Sequence, residues 1–109
     1  MTLEQIRTYA LSLPEAMEQP HFDRTSFRVR GKIFATARES EPYIHVFVDE
    51  SVREPALAMH PEWIEKLFWG HKVVGLRIDL GKAQADALEE LLLEAWKTKA
   101  PKALAQQAH

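Results

Sequence analysis

The sequence predicts an α+β fold: one antiparallel β-sheet with helices packed on one face, forming a single two-layer domain over residues 1–109. Three observations predict it. Apolar residues recur at helical spacing near both ends, as Leu3, Ile6, Tyr9, Ala10 and Leu13, and as Leu88, Leu91, Leu92, Ala95 and Trp96. Between them lie apolar runs of strand length bounded by turn residues. A chain of 109 residues, 46% hydrophobic and 28% charged, builds one core but not two. The predicted order is α–β–β–β–(short α, α)–β–α.

The first helix opens at Thr2, with Gln5 three residues on completing a capping box, and closes at Leu13-Pro14, because the residue before proline leaves the helical region. Glu15–Gln19 reads either as a helical turn or as a first strand, and Pro20 suits a sheet edge because it has no N–H to donate. Three strands follow in PHFDRTSFRVRGKIFATARESEPYIHVFV: Thr25–Val29, Ile33–Arg38 and Tyr43–Val48. Arg30-Gly31-Lys32 turns the first hairpin, with Gly31 supplying a positive φ. A two-residue loop there pairs Phe27 with Phe34; a three-residue loop puts Ile33 and Ala35 on the core face instead. Phe27 and Val29 point inward, Arg24, Ser26, Arg28 and Arg30 outward.

Tyr43–Val48, apolar on both faces, predicts a central strand. Asp49-Glu50-Ser51 then caps a short helix over Val52–Met59, broken near Pro55. A second helix is expected over Pro61–Trp69, with Trp63, Ile64, Leu67 and Phe68 in one apolar sector, Trp69 off it, and Gly70 as the stop. Val73–Leu80 alternates as a strand with Val74, Leu76, Ile78 and Leu80 inward. The last helix runs from about Lys82 to Ala100, its acids early and its lysines late to match the helix dipole, and the tail to His109 is expected to fray. No internal repeat, low-complexity segment or linker is evident.

Charge is distributed unevenly. Residues 24–38 hold five of the 14 basic residues and none of the 16 acids, so the remainder carries −7. Arg24, Arg28, Arg30, Lys32 and Arg38 are therefore the candidate nucleic-acid-binding residues, on a β-ribbon that could straddle a phosphate backbone. Double-stranded DNA is the partner this implies. Trp69, off the apolar sector, and Tyr43 are candidate partner-binding residues, for another protein or a second copy of the chain.

Other classes lack their chemistry. Zero cysteines exclude a disulfide framework and a thiolate metal site or nucleophile, and the cytoplasm is the expected location. No apolar run approaches 18 residues, so no membrane span is predicted. Five histidines show no HxxxH or HExxH spacing; His21 and Asp23 are the one local pair able to share an ion, and His45 sits on an apolar strand. Neither a metal site nor a cofactor is expected. GxSxG, GxxxxGK[ST] and GxGxxG are absent, and the acid pairs sit in solvated turns that raise no pKa, so no enzymatic activity is expected.

The leucine–proline end of helix one, the strand–GKIFA hairpin, PEW…LFWGHKVVGLRIDL and the closing EAWKTKAPKAL together resemble the MmcQ/YjbR family over nearly the whole chain. The resemblance implies a CyaY-like α+β fold and a predicted DNA-binding role with a "double-wing" motif, and carries over no catalytic residue. Many members place a histidine- and asparagine-containing segment before a tryptophan-led strand, where this chain has Phe68-Trp69-Gly70-His71-Lys72-Val73-Val74. Iron binding, raised by the frataxin-like fold, needs an acidic first helix, and this one has only Glu4 before Pro14.

Overall fold

A computed structural model describes residues 1–107, and the expectations for His109 lie outside them. The described chain forms α1 (Leu3–Ser12), β1 (Ala16–His21), β2 (Arg24–Val29), β3 (Lys32–Ala37), β4 (Tyr43–Val46), α2 (Glu50–Met59), β5 (Ile64–Trp69), β6 (Lys72–Asp79), α3 (Ala85–Lys99) and α4 (Lys102–Ala105). The six strands make one sheet in the order β1-β2-β3-β4-β6-β5, and every neighbouring pair is antiparallel. The fold is α+β, as the sequence predicts.

The capping box forms as read: Gln5 N donates to Thr2 Oγ1 at 3.2 Å and Thr2 N to Gln5 Oε1 at 2.9 Å. α3 buries Leu88, Leu91, Leu92, Ala95 and Trp96, the predicted stripe. These pack on Phe27, Val29, Ala35, Ala37, Ile44, Val46, Leu76 and Ile78, the inward-facing side chains of β2, β3, β4 and β6. The alternate side chains form the opposite, open face of the sheet.

Four expectations need correction. Pro61–Trp69 is not a helix: residues 61–63 form a turn and Ile64–Trp69 is strand β5. The i, i+4 matches are real, but nine residues are too few to sustain a helix alone, and pairing with β6 from Ile64↔Ile78 to Trp69↔Lys72 decides the conformation. Phe68, expected in the core, is consequently exposed, whereas Trp63 is buried. The helix across Val52–Met59 is not broken at Pro55; α2 runs through it, and His60 N still donates to Ala56 O at 2.9 Å. Residues 102–105 form α4, with Leu104 buried, where fraying was expected. Of Glu15–Gln19, Glu15 stays in a turn with φ 56° and the rest falls in β1, an edge strand holding Pro20. Among the described residues no helix is long and apolar enough to cross a membrane.

Candidate nucleic-acid interface

Arg30 and Gly31 both have positive φ, 51° and 79°, the signature of a tight two-residue hairpin turn. Val29 therefore pairs with Lys32 and Arg28 with Ile33. A bulge then intervenes, and Phe27 pairs with Ala35. Neither single register holds along the whole hairpin. The tip follows the two-residue loop, and Phe34 is the extra residue that shifts the base by one. Phe34 and Ala35 are both fully buried as a result.

The five cations of this hairpin do not share one surface. Arg24 and Arg28 lie along the open face, where their stems help cover the buried Ser26 and Thr36. Arg24 donates from Nη1 to Glu41 at 2.7 Å and from Nε to Thr36 Oγ1 at 3.2 Å. Arg28 donates from Nε to Ser26 Oγ at 2.9 Å, and its Nη2 lies 3.5 Å from His21 Nδ1; it has no carboxylate partner among the described residues. Arg30 grips Glu15 through Nε and Nη2, the second at 2.9 Å, and holds that carboxyl below its ordinary range. Arg38 sits at the opposite end, paired with Asp23 and 3.6 Å from Glu41. Lys32 is exposed and unpaired among the described residues. Three carboxylates from outside the hairpin, Glu15, Asp23 and Glu41, thus pair with three of its five cations.

β5 and β6 supply a feature the sequence reading missed. Leu67 pairs with Gly75, Phe68 with Val73 and Trp69 with Lys72, around a two-residue tip and a bulge whose extra residue is Val74. This is the β2–β3 hairpin over again, position for position: Phe27 corresponds to Leu67, Lys32 to Lys72, Phe34 to Val74 and Ala35 to Gly75, each 40 residues apart. The repeat lies in the pairing, and only the lysine is identical. GHK after an apolar run was the available signal, hidden by reading that run as a helix. β2, β4 and β5 all run the same way across the antiparallel sheet, so both hairpins end beyond the same end of it.

On the open face Gln19, Ser26, Thr36, His45, Arg77 and Glu65 form one cross-strand row. Arg77 bonds Glu65 at 2.7 Å and stacks 3.7 Å over the ring of Tyr43, so this candidate partner-binding residue is half-buried and already engaged. Trp69, the other candidate, is 66% exposed and meets Phe47 with ring centroids 5.8 Å apart. Burial, helped by Arg24 and Arg77 and opposed by Glu41, lowers the His45 pKa to about 4. Its folded pKa is below the ordinary 6.5, so the unfolded chain binds the proton first. Stability is therefore full above pH 6.5 and falls as the pH drops towards 4. Urea midpoints across that range should show a slope that His45→Gln flattens; an unchanged slope would contradict this assignment.

Among the described residues no group of three or more His, Cys, Asp or Glu side chains is placed to hold a metal ion. His21 and Asp23 face Arg28 and Arg38 instead.

A family model described as YjbR matches residues 11–98. This chain belongs to the YjbR family. In fold this YjbR-family chain is similar to the crystal structure of Deinococcus radiodurans protein DR2400, described as family-model domain DUF419. The TM-score is 0.77 at 22% identity, covering 89% of this chain and 77% of that one. At that identity the likeness is one of fold. No curated protein matches the sequence.

Proposed function

We propose that this protein has a binding role, not a catalytic one, and that its ligand is double-stranded DNA, held at the end of the sheet where the two hairpins finish. The observation that carries the reading is the pair of register-equivalent hairpins with Lys32 and Lys72 at corresponding positions. Lys32 on β3 and Lys72 on β6 stand two strand spacings apart, roughly 10 Å, close to the roughly 12 Å width of a B-DNA major groove. Each lysine then reaches a phosphate on its own side of the groove. Arg30 joins them only by exchanging Glu15 for a phosphate, while Arg24 and Arg38, held by Glu41 and Asp23, stabilise the scaffold. A second reading, a protein-interaction module, is favoured by Phe68 and Trp69, 53% and 66% exposed on β5.

Two or three phosphate contacts give a slope of about −2 to −3 for log K against log salt. Fluorescence anisotropy with duplex DNA should show weak binding at low salt that fades as salt is added. Lys32→Glu combined with Lys72→Glu should abolish it and leave the thermal melt nearly unchanged, because exposed charges contribute little to stability. No binding by the wild type at low salt, or equal binding by the double variant, would end this reading.

A further inference from the structure

Phe22 is the first residue of the two-residue loop joining β1 to β2, where His21 pairs with Arg24. Its φ is 57°, in the left-handed region, and Asp23 does not share it. Two-residue hairpins with positive φ at the first position alone favour glycine there, because a side chain is strained. Burial of the side chain does not offset that strain. Phe22 is 94% exposed, and the one aromatic ring it meets among the described residues is His21, at a centroid distance of 4.8 Å. A residue that is both strained and exposed points to a partner.

The surroundings of Phe22 indicate the partner's chemistry. At this end Asp23 and Glu39, beside Arg38 and Arg7, have side chains 67% and 80% exposed, whereas Arg7, Arg24 and Arg38 are 22%, 15% and 34% exposed, so the carboxylates stand further into solvent than the guanidiniums that balance them. The other end of the same sheet carries the complement. There a cleft of about 370 Å³ is lined by Phe47, Trp69 and three valines, with Arg53, Lys72 and Lys99 against the single acid Asp49. A cavity of about 150 Å³ is enough to hold benzene. An apolar cleft rimmed by cations fits a phenyl ring flanked by carboxylates.

We propose that this protein self-associates end to end, Phe22 of one copy entering the Phe47–Trp69 cleft of the next. The contact joins two different surfaces, so each copy has one of each free and the assembly can grow beyond a pair. It does not depend on the nucleic-acid reading, although a duplex engaging Lys72 would compete for the same end.

Sedimentation velocity of the wild type over a concentration series at low salt should show the average mass climbing above the 12.5 kDa monomer. Salt should reverse the climb. Phe22→Gly should stay monomeric and also melt higher, by about 4–8 °C, because glycine relieves the turn. Trp69→Ala should stay monomeric as well. An equimolar mixture of these two variants keeps one intact contact, Phe22 of one with the cleft of the other, and should form a 1:1 pair and nothing larger. A wild type monomeric at every concentration, a Phe22→Gly chain that assembles like the wild type, or a mixture that does not pair would each overturn the proposal.

Discussion

Truncating Trp96 to alanine is expected to destabilise the domain by about 3–5 kcal/mol, a large part of the roughly 5–15 kcal/mol that holds a domain of this size together. Trp96 is fully buried on α3, within the core cluster that includes Leu92, Phe27 and Phe34. Its Nε1 donates to Pro14 O at 3.0 Å, tying the last long helix to the turn that ends the first. Trp96→Ala therefore removes apolar area, leaves a cavity and strands a carbonyl. Trp63 provides the control. It is 4% exposed, but its Nε1 has no partner among the described residues. Trp63→Phe keeps most of the ring burial and deletes an unpaired donor, so it should cost less than Trp96→Phe, which deletes a paired one. Urea unfolding of the three variants checks both statements, and a cost under about 1 kcal/mol for Trp96→Ala would contradict the first.

Gly75→Ala is expected to cost about 3 kcal/mol or more, although it adds a single carbon. A Cβ at Gly75 would lie 2.2 Å from the carbonyl oxygen of Val46 and 3.1 Å from the Cα of Phe47. Both are backbone atoms of the neighbouring chain segment, so neither can swing aside. Relief requires β6 to move away from β4 at the base of the second hairpin, opening the sheet between the two hairpins. Gly31→Ala makes the contrast. No atom lies within 4 Å of its Cβ position, and only the positive φ resists, at about 1–2 kcal/mol. Thermal melts should rank Gly75→Ala well below Gly31→Ala; the reverse order would show that β6 tolerates displacement.

Where one face of an element is buried and the other solvated, the residues announce it. The α3 stripe, the Thr2–Gln5 cap and the inward Phe27 and Val29 were legible for that reason. β1 and β5 were not, because they are the outer strands of the sheet and show little apolar alternation: Ala16–His21 buries no residue completely, and β5 buries only Ile64. Trp69 was placed on the surface for the wrong reason, as an off-stripe helical residue; it is exposed near the end of an edge strand. The candidate site was legible as a list of cations but not as a surface. Arg30–Glu15 and Arg24–Glu41 join residues 15 and 17 positions apart, and which carboxylate meets which arginine is decided by the packing of the chain.

The two borders of the sheet are unequally defended against strand addition. β1 carries Pro20, which offers no donor, and Gln19 and Glu18 precede it, so an incoming strand finds an interrupted ladder. β5 is guarded only at its start, by Glu65 and Lys66, with α2 packed near it and Glu54 4.0 Å from Lys66. Beyond them Leu67, Phe68 and Trp69 run without a charge to the Gly70 turn. Aggregation of partly unfolded chains should therefore begin at Leu67–Trp69, and one lysine placed there would act as its gatekeeper.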